Sequence, residues 1–184
     1  MAQPAPITEA IPRQGRGTQA FEDRGKTHPG DWGTVETELR QGAATFWLAT
    51  QGPGGAPHVR PLFAAWTGSS FVLTSKHEAA KSRNLRANGH CTITVDLGFA
   101  HLVVEGHAQR VTDREGLQRA SRAMQEVFGW PTEVVGEELD AEYGAPTSGG
   151  PPFEVYELRP RKAFGFPTSD DFEPTRWSFP TYAG

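Results

Sequence analysis

The pattern of apolar and polar positions changes character at Thr34. Before it, residues 1–31 are rich in Pro, Gly, Gln and charge and carry no apolar period. That texture predicts an N-terminal arm, either loosely docked or wrapped around a partner subunit. After it, short apolar runs alternate with turn clusters. VETELRQ places Val35 and Leu39 four apart, the spacing of a short amphipathic helix. TFWLAT reads as a strand, QGPGGAP as a turn, HVRPLFAAW as extended chain, TGSS as a second turn and FVLTS as a third strand. Together these predict a meander joined by hairpins. Pro61 has no N–H to give to a ladder, so its strand lies at a sheet edge or bulges there.

EAAKSRNLRAN predicts a short helix, and Ser75-x-x-Glu78 fits a capping box at its start. CTITVD and HLVVEGHAQRV read as strands. In the second, His101, Val103, Glu105 and His107 share one face, and Leu102, Val104, Gly106 and Ala108 the other. Thr112-x-x-Glu115 is a second capping box, opening the longest helix, DREGLQRASRAMQEVF. Its apolar stripe is Leu117, Ala120, Met124, Val127 and Phe128. Residues 129–152 read mostly as loop, long enough to suggest a functional role. FEVYELRP and KAFGF are the last strands, followed by the aromatic, Pro-containing SDDFEPTRWSFP. Several short strands with interspersed helices predict a mainly β fold, a small barrel with helical decorations, in one domain over 32–184.

Composition removes several function classes. A formal net charge of -4 disfavours bulk nucleic-acid binding, so any anion site is local. No run of eighteen apolar residues exists and the N-terminus has no apolar signal core, which predicts neither membrane span nor secretion. Cys91 alone cannot form an internal disulfide, in keeping with a reducing cytoplasm. Its place inside a strand predicts a buried, inert thiol. His101, Glu105 and His107 share a strand face, but the two histidines are too far apart to meet at one ion, so no metal site is expected. There is no G-x-S-x-G, no G-x-G-x-x-G after a strand and no P-loop, so no catalytic residue is assigned.

The candidate chemistry lies in SKHEAAKSRNL, residues 75–85. A strand that ends in Thr74 and Ser75 and leads into a helix presents hydroxyls and free N–H groups, a setting for a phosphate. Lys81 supplies a charge within reach and Lys76 can assist. The plainer reading is that Ser75 only caps the helix and the cations are solvated. His58 and Arg60 share one face of their strand, opposite Val59, at the mouth of the same region. Phe172, Arg176, Trp177 and Phe179 form either a clamp on an apolar patch or dimer seam, or a lid in which Trp177 stacks on a planar ligand.

Taken together, TFWLAT, GAPHVRPLFAAW, FVLTS, AAKSRNLRANGHCTITVD and VVEGHAQRV resemble the pyridoxamine 5'-phosphate oxidase-like flavin-binding split barrels. The likeness runs from about Thr34 to Phe166 and is strongest to the flavin/deazaflavin oxidoreductase branch, which includes users of coenzyme F420. The resemblance implies a split β-barrel of 6–8 antiparallel strands with small flanking helices. It implies a homodimer with cofactor sites at the interface. Lys81 would contact the cofactor phosphate, with Thr74, Ser75, Lys76 and Asn84 nearby. His58, Val59, Arg60 and Pro61 would line the ring, Trp47 would wall the pocket, and Trp177 would reach the ring from the partner chain. The branch favours F420 over FMN, and Lys76, Arg83 and Arg86 would form the basic groove for a polyglutamate tail.

Two departures narrow this. Lys81-Ser82 stands where the oxidases proper carry Arg-Lys, and their C-terminal Arg-Leu-x-x-Arg signature is absent, so vitamin B6 oxidation is not expected. The implied activity is hydride transfer between F420 or FMN and a small organic substrate. The alternatives are a non-catalytic FMN, F420 or haem binding or carrier protein on the same barrel, or an interaction protein whose cations are only surface charge.

Overall fold

A computed structural model describes residues 4–11, 28–41, 45–144, 149–169 and 171–180. The helices are α1 (Trp32–Gln41), α2 (Ala80–Ala87) and α3 (Arg114–Phe128). The strands are β1 (Ile7–Ala10), β2 (Phe46–Gln51), β3 (Pro57–Leu62), β4 (Ala64–Trp66), β5 (Phe71–Ser75), β6 (His90–Asp96), β7 (Ala100–Val111), β8 (Glu133–Val135), β9 (Glu138–Asp140), β10 (Glu154–Pro167) and β11 (Thr175–Ser178). Nine strands form one sheet in the order β1-β11-β10-β7-β6-β2-β3, with β5 also pairing β10 and carrying β4. All of these strand pairings are antiparallel.

Period-two alternation divides the apolar side chains between two cores. Phe71 and Leu73 of β5, Ala64 and Trp66 of β4, and Tyr156 and Leu158 of β10 face the first. Their neighbours Val72, Ala65 and Val155 face the second, under α3. Strands β4 and β5 are therefore buried on both sides, which explains why FVLTS reads as a continuous apolar run. The first core closes on an aromatic group around Trp32. Its ring meets Trp66, Trp177 and Phe179 edge-on, with centroids 5.9, 5.4 and 4.9 Å away.

Helix α3 buries Leu117, Ala120 and Met124 as its periodicity requires, with Val127 and Phe128 partly covered. Gly129 ends it in the left-handed region at φ 61°, where a side chain would be strained. Its start is one residue later than the expected capping box. Asp113, not Thr112, is the cap, accepting from the Gly116 N–H at 2.8 Å.

Other expectations are corrected by long-range pairing. Ser75-x-x-Glu78 is not a capping box. Ser75 stays in β5, paired with Glu154, and a turn over Lys76–Ala79 intervenes before α2. Part of the expected arm is an edge strand, because Ile7–Ala10 pairs with Thr175–Ser178. Residues 12–27 lie outside the described residues. The 129–152 loop contains the β8–β9 hairpin. FEVYELRP and KAFGF are one strand, β10, with a register break between Pro160 and Lys162 opposite Glu105 and Gly106.

At that break β7 and β10 come close. A Cβ on Gly106 would lie 2.3 Å from the Arg159 carbonyl oxygen, and backbone cannot swing aside. Gly106→Ala is expected to destabilise the fold by about 1–3 kcal/mol, the usual cost of overpacking. A lowered urea midpoint at unchanged slope checks it; an unchanged midpoint would show that the two strands separate freely.

Candidate functional site

The expected cofactor residues fall into separate groups, and one group comes together around α2. Asn84, buried on α2, donates from Nδ2 to Thr50 Oγ1 of β2 at 3.0 Å. Thr50 faces His58 across the β2–β3 ladder, with Oγ1 3.5 Å from His58 Nδ1 and 3.4 Å from the His58 carbonyl. These contacts fix the helix against the hairpin. Lys81 lies three residues before Asn84, hence on the same helix face. Arg60 lies two residues beyond His58, hence on the same strand face.

The two cations feel each other. Burial lowers the Lys81 ammonium below its ordinary pKa, and the positive charge of Arg60 lowers it further. Among the described residues neither forms an ion pair, and Arg60 donates only to the Val59 carbonyl, at 2.7 Å. The adjoining start of α2 is capped by Ala79, with no side-chain acceptor for its first N–H groups. Free helix N–H donors beside two uncompensated cations are suited to an anion.

The edge of β3 adds a different surface. Pro57 and Pro61 have no N–H, so the ladder to β2 must run through His58, Arg60 and Leu62. N–H and C=O of one residue point the same way in such a strand. The free edge therefore carries the carbonyls of Pro57, Val59 and Pro61 and the N–H of Val59. It offers acceptors to a flat polar ligand while the prolines discourage strand addition.

Behind α2 sits a fully buried carboxylate, Glu154. It accepts from Tyr156 Oη at 2.7 Å, lies 2.8 Å from His77 Nδ1, and pairs with Arg86 at 2.8 Å and Arg110 at 3.5 Å. Burial alone raises its carboxyl. The Tyr156 and His77 hydrogen bonds and the charges of Arg86 and Arg110 outweigh burial and hold it below its ordinary range. Burial, and then the bond to Glu154, push the Tyr156 phenol up to about 12. Arg86 also donates to the His77 carbonyl at 2.9 Å, so the 76–79 turn, α2, β7 and β10 are tied at one point.

The remaining expectations fare differently. Ser75 is buried, 2.7 Å from Ser82 Oγ, which itself donates to the Lys76 carbonyl at 2.6 Å; its hydroxyl is a lock inside the turn and not a free donor. Thr74 alternates to the opposite face, beside Val72. The Lys76 ammonium lies 5.7 Å from the Phe153 ring centroid. Trp47, Val59 and Pro61 share the outer face of the hairpin, opposite His58 and Arg60, and Trp47 is exposed beside a cavity also lined by Thr94 and His101. Trp177 is no lid. It is fully buried in the first core and donates from Nε1 to the Gly30 carbonyl at 3.2 Å. Arg86 is held by Glu154 and Arg83 donates to the Glu78 carbonyl, which reduces the expected tail groove. Burial pushes the Cys91 thiol up to about 12, the inert state expected of it.

Thr50, Ser82 and Glu154 were not expected at the site. Thr50 becomes visible only through its register with His58, and Glu154 begins a strand with no local sign of its partners.

The family model for pyridoxamine 5'-phosphate oxidase matches residues 35–165. Solved structures similar to this chain include an F420 reductase, at 22% identity and TM-score 0.50, covering 70% of this chain and 94% of that one. A putative pyridoxamine 5'-phosphate oxidase from Listeria innocua matches at 20% identity and TM-score 0.51, with 71% and 94% covered. A NimC/NimA family protein from Clostridium acetobutylicum matches at 17% identity and TM-score 0.55, with 80% and 91% covered. No curated protein matches the chain. Among the described residues no helix is long and apolar enough to cross a membrane.

The Glu154 node makes stability depend on pH. Its folded pKa lies below the ordinary carboxylate value of about 4.3, so ionised Glu154 stabilises the fold above that value. The contribution is lost as pH falls through the lowered folded value. Glu154→Gln is expected to cost on the order of 3 kcal/mol at pH 7, because Arg86 loses its counter-ion and Arg110 keeps only the exposed Glu137, 3.8 Å away. The difference should shrink in strong acid. Urea denaturation of both proteins at pH 7 and at low pH reads this; an equal difference at both would remove charge as the cause.

Proposed function

The chain belongs to the pyridoxamine 5'-phosphate oxidase family, a flavin-binding family of split barrels, and from that premise we propose that it is an oxidoreductase using FMN or F420. The observation that carries this is the Lys81–Arg60 pair, two cations without an ion-pair partner among the described residues, beside the start of α2, whose cap offers no side-chain acceptor. The cofactor phosphate is held there. Asn84 and Thr50 keep Lys81 in position by fixing α2 to the hairpin. The free edge of β3 accepts the polar rim of the ring, with the Val59 N–H as its one donor.

A bound flavin or deazaflavin supplies hydride transfer to or from a small organic substrate. The chain's part is to bind, orient and shield, which agrees with the lack of an assigned nucleophile. Lys81 and Arg60 suffice for the single phosphate of FMN. F420 carries a longer acidic tail, and with Arg86 held by Glu154, Arg83 is the exposed cation nearest in sequence to receive it. Exposed Trp47 and Val59 on the outer face of the hairpin support a second copy of the chain completing the ring site.

Purified protein titrated with FMN and with F420, followed by cofactor fluorescence, tests the reading. Lys81→Ala is expected to weaken binding about 10- to 100-fold, the effect of losing one charged hydrogen bond. Turnover of the reduced cofactor with an enone is expected; binding without turnover would make the protein a carrier. Binding of neither cofactor overturns the proposal.

A further inference from the structure

The outer face of the sheet carries a second concentration of positive charge, produced by the register break in β10. Along a regular strand consecutive side chains alternate faces. In β10 Pro160 and Ala163 are both buried, while Arg161 and Lys162 between them are both exposed. The bulge places one extra residue opposite Glu105 and Gly106, so two adjacent cations emerge on one side. Gly106 permits it, because any Cβ there would meet the Arg159 carbonyl.

Both cations line a cavity of about 480 Å³ on the outer face. Its lining includes the small residues Ala49 and Thr92, which share one cross-strand row with Glu105 and Lys162. Its polar wall is Gln51, Asn88 and His90. Asn88 is fixed, donating to Gln51 Oε1 at 2.6 Å and accepting from the His90 N–H at 3.1 Å. Gln51 Oε1 is thereby occupied and its Nε2 remains a donor. The His90 ring stands edge-on to His107, with centroids 5.2 Å apart. The charged lining is two cations against one carboxylate, Glu105, and among the described residues none of the three is ion-paired.

We propose that this cavity is a second anion site, for a small molecule bearing a carboxylate or phosphate. The acid group binds Arg161 and Lys162, and a polar acceptor on the same molecule takes the Gln51 amide and the His90 ring. The site is separate from Lys81. Cross-strand partners share a face, so Ala49 and Val59 look into the outer side while Thr50 and His58 look toward α2. The Lys81 region and this cavity lie on opposite faces of the β2–β3 hairpin, with Thr50 bordering both. The cavity shares the outer face with Trp47 and Val59, so its anion binds beside the second copy proposed there, and the proposal does not depend on which cofactor is bound.

Backbone amide NMR of the full chain, titrated separately with inorganic phosphate and with glutarate, tests it. Saturable shifts are expected at Thr92, Glu105 and Gln51 with at least one of the two anions. Their identity separates a phosphate-bearing from a carboxylate-bearing ligand. The double variant Arg161→Ala/Lys162→Ala should lose these shifts by tenfold or more in affinity, with its spectrum elsewhere showing the fold intact. Lys81→Ala should leave them unchanged. No shift at the cavity with either anion, or shifts that survive the double substitution, overturns the proposal. Since FMN and F420 binding is read separately, loss of one site is distinguishable from loss of the other.

Discussion

A carboxylate with no access to water organises the region on which the candidate site is built. Glu154 is the first residue of the longest strand, and its partners come from the turn after β5, from α2, from β7 and from β10 itself. Removing an ionised carboxylate from water is costly unless several donors meet it. Here each donor belongs to a different element, so satisfying the charge also sets their relative positions. The 76–79 turn, which leads into the Lys81 helix, is held by this node on one side and by the Ser75–Ser82 pair on the other.

The arrangement also sorts the positive charges. Arg86 is held by Glu154, Arg110 is shared between Glu154 and Glu137, Arg83 donates to a backbone carbonyl while remaining exposed, and Lys76 lies near an aromatic face. Among the described residues Lys81 and Arg60 are left without a counter-ion, and burial, then the positive charge of Arg60, lowers the Lys81 pKa. Arg60, Lys76, Lys81, Arg83 and Arg86, which read in sequence as five interchangeable cations, are therefore differentiated by their neighbours. On the other side of the same hairpin, the β10 bulge turns Arg161 and Lys162 to one face, so a chain of net negative charge presents two local positive sites. Charge at this scale is set by where side chains emerge, not by composition.

The β2–β3 hairpin separates these surfaces. Its two prolines force the ladder bonds onto the intervening residues and leave an edge of carbonyls. Its alternation puts His58 and Arg60 toward α2 and Trp47, Val59 and Pro61 toward the outer face. One short element thus borders the Lys81 and Arg60 cations, carries an acceptor edge and presents an exposed apolar face.

Local pattern determined much of this. Alternation in HLVVEGHAQRV, the stripe of α3 and the turn clusters gave the antiparallel, mostly β architecture, because those signals arise from backbone period and turn stereochemistry within a few residues. The same locality made Pro61 a reliable sign of an edge, and Lys81, His58 and Arg60 legible as candidates, while Asn84 entered only through the family resemblance. Tertiary structure decided what depends on partners distant in sequence. Trp177 could be a lid or core until Trp32 and Gly30 were placed beside it. Ser75 could cap a helix until its pairing with Glu154 kept it in a strand. Ile7–Ala10 carries no period of its own and becomes a strand only by pairing with Thr175–Ser178. Glu154, Thr50 and the bulge at Arg161 have no local signature at all, since each is defined by what packs against it from another part of the chain.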